Sequence, residues 1–347
     1  MTSAPAESPP TGSAPLLEVE GLSCEFDREG EIAQVLRDIH LTLDAGVSLG
    51  LVGESGSGKS MLMKSIMGIA PRSARISGRV RLDGTELTSL TPPQQRRLVG
   101  RKVGIVFQNP MTSLNPVVRV GRQVGEATRF HLGLSRAAAH DRAIALMQAV
   151  GLPDAEQCYR QYPHQFSGGM KQRLMIAAAL ACEPELLIAD EATTALDVTV
   201  QRNILDLLHR LKAERDMALI VVTHNLGIVA GRSEKVAVMY GGRIVEYGAT
   251  AEVFKQPRHR YTQALLKAIP RTDDATQSRL VTIPGRPPVI LKPTPGCPFA
   301  PRCGYAQSRC HAEDPPTVTV GTQGHTYTCF VPVEDNATQG QPDDHIQ

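Results

Sequence analysis

The stretch Gly53-Glu54-Ser55-Gly56-Ser57-Gly58-Lys59-Ser60 fits the pattern G-x-x-x-x-G-K-[ST], and nothing else in the 347 residues narrows the fold as far. Glycines let a loop wrap closely around phosphates while its backbone N–H groups point inward as an anion nest. Such a loop needs a buried strand before it and a helix after it. Both are present: Val47–Val52 is a compact apolar run, and Met61–Ile69 has helical composition, broken only at Gly68. The helix start places its positive dipole end under the phosphates. Lys59 is expected to reach the β- and γ-phosphates, and the Ser60 hydroxyl to coordinate Mg²⁺. Gly53, Ser55, Gly56, Ser57, Gly58, Lys59, Ser60 and Met61 are therefore the candidate contacts of a nucleotide.

A second strand carries acids to the same mouth. Leu186-Leu187-Ile188-Ala189 is apolar and ends in Asp190-Glu191. In a doubly wound sheet, carboxylates at a strand's C-terminal end stand beside the phosphate loop. Asp190 is expected to hold Mg²⁺, directly or through water. Glu191, pointing the other way, is the candidate general base for an attacking water. His224 closes a third apolar strand, Leu219–Thr223, within reach of a γ-phosphate and of Glu191.

Around these strands the chain reads as one large unit with an appendage. Residues 1–14 are Pro/Ser/Thr/Ala-rich and read as a disordered lead-in, and residues 333–347 read as a disordered tail. Leu22, Cys24 and Phe26 alternate, as do Leu41 and Leu43, which predicts strands near the start. Asp83-Gly84 and Gly241-Gly242 each sit between alternating apolar residues and predict hairpins. From Leu114 to Ala181 the pattern turns helical. After Gln256 prolines punctuate the chain and mark a C-terminal extension over 257–332. Lys and Arg total 37 against 35 Asp and Glu, too even for a dedicated nucleic-acid binder. No apolar run approaches the roughly 18–20 residues that span a bilayer. MTSAPAESPPTGSAP has neither the basic nor the apolar region of a signal peptide, so the expected location is the cytoplasm.

One glycine-rich element remains unused by a single nucleotide. Ser167-Gly168-Gly169-Met170-Lys171-Gln172-Arg173 precedes a helical stretch, Leu174–Cys182, and is a second helix-terminal anion site. Taken in order, the loop 53–60, Gln108 in VFQNP, FSGGMKQR (166–173), the acidic strand 186–191, the turn Ala195-Leu196-Asp197 and His224 resemble an ABC-type ATPase over roughly residues 16–255. The resemblance implies an α/β fold: a P-loop NTPase core with an antiparallel β subdomain and an α-helical signature subdomain at about 112–180, the whole cassette spanning 15–256. It also implies head-to-tail pairing, in which Ser167, Gly168 and Gly169 of one copy cap the ATP held by the other. Gln108 matches the glutamine that touches Mg²⁺ and couples the site to a membrane partner, and Asp197 matches the aspartate at the dimer interface. Phe26 is the candidate to stack on adenine, although its alternation with Leu22 and Cys24 equally suits a core residue. Two departures stand out: Ala192 replaces the usual proline, and Asn225 stands where aspartate is common. Neither removes a reacting group.

Rival classes with the same cassette fit less well. Repair ATPases insert a long coiled coil between loop and signature, and residues 61–166 show no sustained heptads; translation factors carry two cassettes. NPMTSLNP (109–116), YPHQFSGGMKQR (162–173), DEATTALDVTVQ (190–201) and HRYTQALLKAIP (259–270) are similar to ATPase subunits of oligopeptide and dipeptide importers. That likeness runs from about residue 16 to 332. It implies two integral-membrane permease subunits, a second and non-identical ABC ATPase subunit, an extracytoplasmic solute-binding protein, and a peripheral position on the cytoplasmic side of the cell membrane, with no nucleic acid. Nickel, glutathione or another solute in place of peptide, and a regulatory role without transport, remain as alternatives.

Cys297, Cys303, Cys310 and Cys329 crowd into 33 residues, where an even spread of the chain's seven cysteines would place fewer than one. Four thiolates can bind zinc or an iron–sulfur cluster. The gaps lack the tight C-x2–4-C knuckles of structural zinc sites and suit a larger cube better. The resembling importer ATPases can carry a 4Fe–4S cluster at matching cysteines, which makes iron–sulfur the expectation, with Zn²⁺ and free or disulfide-forming thiols as alternatives. Cys24, Cys158 and Cys182 read as structural.

Overall fold

A computed structural model describes residues 14–28, 31–108, 113–192, 197–269, 283–286, 295–321 and 324–334. The proposed lead-in up to residue 13, the tail beyond 334, the turn residues Ala195 and Leu196, and the first four residues of the 109–116 motif lie outside them.

The chain begins with the long strands β1 (Leu17–Arg28) and β2 (Glu31–Leu43), then β3 (Ser48–Val52) and α1 (Lys59–Ile66). Next come β4 (Ala74–Leu82), β5 (Thr85–Glu86), α2 (Pro92–Lys102) and β6 (Val103–Val106). Four helices follow: α3 (Val120–Leu132), α4 (Arg136–Ala149), α5 (Ala155–Arg160) and α6 (Gly168–Ala179). Then come β7 (Leu186–Asp190), α7 (Val198–Arg215), β8 (Ala218–Thr223), α8 (Leu226–Val229), β9 (Lys235–Tyr240), β10 (Arg243–Ala249), α9 (Thr250–Lys255) and α10 (Arg260–Lys267). The extension contributes α11 (Ser308–Ala312), β11 (Val318–Val320) and β12 (His325–Tyr327).

Two sheets organise these elements. An antiparallel one has the order β2-β1-β4-β5, and an eight-stranded one has the order β11-β12-β10-β9-β3-β8-β7-β6. Strands β6, β7, β8, β3 and β9 are parallel. The apolar runs that end in the P-loop, in the acid pair and in His224 are β3, β7 and β8, all neighbours. Both predicted hairpins form, with Leu82 opposite Thr85 and Tyr240 opposite Arg243.

The strand period of two divides the core. Leu187 and Ala189 of β7 face a cluster built with α3, α4, α6 and α7. Leu186 and Ile188 face the opposite way, into a cluster shared with α1 and the antiparallel sheet. A third cluster joins α8, β9, β10 and Tyr261 to Phe299, Cys297 and Cys303. Strand β12 pairs with β10, so the extension lengthens the main sheet. Helix α2 has no expectation behind it in the sequence reading. Its signal is local: Thr91 and Gln94 form a capping box with Pro92 at the first position. The signature helix also starts earlier than composition suggests, because Ser167 caps α6 by accepting from the Met170 N–H.

Candidate nucleotide site

The P-loop is held in shape before any phosphate arrives. Gly58 caps α1 at φ 102°, a conformation that favours glycine. A Cβ on Gly53 would lie 2.1 Å from the Met239 carbonyl oxygen, so strand β9 leaves room there only for hydrogen. The Lys59 ammonium is buried and donates to the carbonyls of Gly53 at 2.8 Å and Glu54 at 3.0 Å. Burial lowers its pKa, opposed by the charges of Glu191, Asp190 and Glu54. An ammonium held this way carries its charge into a low-dielectric pocket, where phosphate oxygens are the natural partner. Ser55 and Gly56 are exposed at the loop tip, Ser57 is buried, and Met61 is half-buried behind it.

The other strand ends meet this loop. Ser60 Oγ donates to Asp190 Oδ1 at 3.1 Å, joining a hydroxyl and a carboxylate at the place where Mg²⁺ is expected. Burial raises the Asp190 pKa, offset in part by the Ser60 bond, and the neighbouring Glu191 charge raises it further. Oxygen donors of this kind suit Mg²⁺, a hard cation. Glu191 begins beyond β7 with φ 46°, a left-handed turn rare for a residue with a side chain. Its N–H reaches the Val222 carbonyl at 3.0 Å, which ties the turn to β8. Asp190 bonds Ser60, while Glu191 has partners of its own. Gln108 Nε2 donates to Glu191 Oε2 at 2.6 Å, and His224 Nδ1 stands 3.8 Å from Glu191 Oε1. Ala192 is buried in the cluster built with α3, α4, α6 and α7, and Asn225 caps α8 by accepting from the Gly227 N–H. Both departures thus have structural roles away from the reacting groups.

Three groups stand apart from this convergence. Ser167 and Gly168 are exposed at the start of α6. Asp197 caps α7 by accepting from the Val200 N–H at 2.9 Å, and Val200 Cγ1 lies where a Cβ on Gly169 would come within 3.1 Å. Signature and Asp197 therefore form one neighbourhood. Phe26 is half-buried near the end of β1, paired with Ala33 and packed on the cluster around α1.

Behind the loop lies a polar set that motif reasoning missed. Glu246 is buried and accepts from the N–H of Arg258 at 2.6 Å and of His259 at 2.9 Å, and it meets His325 Nε2 at 2.8 Å. Burial lowers the His259 pKa to about 4, so the ring is neutral. Its Nδ1 accepts from the Tyr261 N–H, which leaves the Nε2 proton directed at Cys297 Sγ, 4.0 Å away. All four clustered cysteines line one small, apolar cavity of about 20 Å³. Burial raises Cys297 to about 11 and also raises Cys303 and Cys329, with neighbouring thiols adding to each. Among the described residues no group of three or more His, Cys, Asp or Glu is arranged to hold a metal ion. The cavity has room for about one water, so the geometry does not itself present the expected cluster site. No helix among the described residues is long and apolar enough to cross a membrane.

Comparison with known proteins follows the same division. A family model described as "ABC transporter" matches residues 36–194, and one described as "Oligopeptide/dipeptide transporter, C-terminal region" matches 245–310. The oligopeptide transport ATP-binding protein OppD of Salmonella typhimurium is 46% identical over 320 residues, covering 92% of this chain and 95% of that protein. The dipeptide transport ATP-binding protein DppD of Bacillus subtilis is 42% identical over 318 residues, covering 91% and 94%. Among solved structures, the dimeric post-hydrolysis state of the ATP-binding cassette MJ0796 bound to ADP and Pi superposes with a TM-score of 0.61 at 26% identity, covering 67% of this chain and 98% of that one. The cbiO1 protein of Clostridium perfringens, part of the ABC transporter complex cbiONQ, gives 0.60 at 28% identity, with 70% and 91% covered.

Proposed function

The chain belongs to the ABC transporter ATP-binding proteins, and on that premise we propose that it energises peptide import from the cytoplasmic face of the cell membrane. Its reaction is ATP hydrolysis. The observation that carries the peptide assignment is the reach of the likeness, which continues past the cassette (15–256) into the extension (257–332) and covers 92% of the chain. Two permease subunits, a second ATPase subunit and a solute-binding protein complete the assembly.

In this reading the residues divide the work by position. Lys59 turns from the Gly53 and Glu54 carbonyls toward the β- and γ-phosphates, while the loop N–H groups and the α1 dipole hold the rest. Ser60, Asp190 and Gln108 hold Mg²⁺, which supplies positive charge against the phosphate oxygens. Glu191 takes the proton of the attacking water, with Gln108 fixing its carboxylate and His224 poised between it and the γ-phosphate. Phe26 stacks on adenine: its partner Ala33 is two residues from Val35, whose carbonyl lies near the Cβ position of Gly58. Ser167, Gly168 and Gly169 present a helix N-terminus to the ATP of the second cassette, with Asp197 beside them. A signature housed on a separate subdomain is what such head-to-tail pairing requires.

Affinity purification from detergent-solubilised membranes tests the importer reading. This chain should co-purify with two integral membrane proteins and a second ATPase. Recovery without any membrane partner, from cells that make the permeases, contradicts it.

The same proposal includes an iron–sulfur cluster on Cys297, Cys303, Cys310 and Cys329. Its support is the donor set: four cysteines on one cavity, with the thiolates of Cys297, Cys303 and Cys329 disfavoured by burial unless a cation compensates them. The thiols must move outward to admit a cube. Anaerobic purification should give a brown protein with iron and acid-labile sulfide in equal amounts. Stoichiometric zinc without iron would sink the cluster and leave the ATPase untouched.

A further inference from the structure

Three side chains grip Glu54, the residue after the first P-loop glycine. Its carboxylate meets the Arg302 guanidinium in two parallel bonds, Nη1 to Oε2 at 2.6 Å and Nη2 to Oε1 at 3.1 Å. Its N–H donates to Tyr261 Oη at 2.9 Å. Its carbonyl accepts from Lys59 Nζ at 3.0 Å. Two of the three grips come from outside the cassette proper: Tyr261 from α10, and Arg302 from the segment just before Cys303.

Both partners are themselves fixed. The Arg302 side chain is only 6% exposed, and its other donors are occupied by the carbonyls of Pro284 (2.7 Å) and Ile283 (3.3 Å) and by Tyr240 Oη (3.1 Å). Its bonds to Glu54 hold the guanidinium charged, against the opposing effect of desolvation. Tyr261 is fully buried, with its ring centroid 4.4 Å from that of Tyr240 and 5.3 Å from that of Phe299. A planar fork on a carboxylate fixes direction as well as distance.

We propose that the C-terminal extension clamps the P-loop through Glu54, with Arg302 and Tyr261 acting as positioning residues that set the affinity for ATP; the proposal rests on the ATP-site reading above. Lys59 has three N–H donors to share, so turning toward the phosphates when ATP binds loosens its hold on the Glu54 carbonyl. Tyr261, Arg302 and the Ser57 N–H, which donates to the Glu54 carbonyl at 3.2 Å, then hold this peptide, while Gly53 before it is wedged against Met239. Without the clamp more of the ordering of the front half of the loop falls to ATP itself, which weakens binding. Because the contact is the same in ground and transition states, the loss falls on KM more than on kcat. The cysteine cavity lies against the same two segments, through His259 and Cys303.

The test is equilibrium MgATP binding by the assembled complex, with Glu191→Gln present throughout so that nucleotide is not consumed, and KM and kcat measured separately in the active background. Arg302→Gln and Glu54→Gln should each weaken ATP binding about tenfold, as expected for loss of a charge-assisted bond. The double variant should be no weaker than the worse single one, and Arg302→Lys should fall between. Tyr261→Phe keeps the packed ring and removes only the hydroxyl, so it decides the matter if Arg302→Gln does not fold. It should raise the ATP dissociation constant several-fold. Wild-type affinity in folded Arg302→Gln and Tyr261→Phe, or additive losses in the Arg302–Glu54 pair, overturns the clamp. Absence of ATP binding by the complex without clamp substitutions instead overturns the ATP-site reading on which the clamp stands.

Discussion

Glu191→Gln should bind MgATP as the parent does and hydrolyse it on the order of 10²–10⁴-fold more slowly, the range for loss of a general base. The substitution keeps the side chain's length and its capacity to bond Gln108, whose Nε2 now donates to Glu191 Oε2 at 2.6 Å. It leaves the Ser60–Asp190 pair in place, because Glu191 bonds Gln108 and takes no part in that pair. What it removes is the only feature a glutamine lacks, a lone pair basic enough to accept the water's proton. Trapped ATP should hold the two cassettes closed, which nucleotide-dependent cross-linking of signature to P-loop would register. Hydrolysis at near wild-type rate in the native assembly would remove the base assignment.

Lys59→Met should act one step earlier. The methionine fills the buried volume of the lysine stem but brings no charge to the phosphates. Truncating one member of a buried charged pair costs about 2–5 kcal/mol, so MgATP binding should weaken on the order of 10²-fold or more. The two substitutions therefore separate on a single binding isotherm: Glu191→Gln saturates normally and Lys59→Met does not. Equal affinity in both would mean that the ammonium, now bonded to the Gly53 and Glu54 carbonyls, stays there when nucleotide binds.

The contrast between these residues shows what the sequence made legible. Lys59, Ser60, Asp190 and Glu191 sit in patterns whose spacing is dictated by one strand-to-loop geometry, so local reasoning reaches them. Gln108 and Asp197 have no such local signature and depended on family resemblance. The structure brings Gln108 to Glu191, and it gives Asp197 the additional task of capping α7. Arg302 was invisible for a physical reason. Its partner Glu54 is 248 positions away, and an arginine flanking a cysteine has no distinguishing pattern until the fold closes the gap. The same holds for Glu246, which reads as a hairpin residue and proves to be buried beneath His259 and His325. The prolines after Gln256 marked the extension as separate in composition, yet β12 adds to the main sheet beside β10. Composition records where a chain changes character; strand pairing depends on register between distant segments and leaves little trace in either one.

Uptake of a labelled peptide by cells whose only copy of this chain carries Glu191→Gln, with permeases and binding protein intact, tests the central claim most directly. If ATP hydrolysis at this site drives import, uptake falls to background while the assembled complex is still recovered from the membrane with ATP bound. Uptake at the wild-type rate in those cells would contradict it.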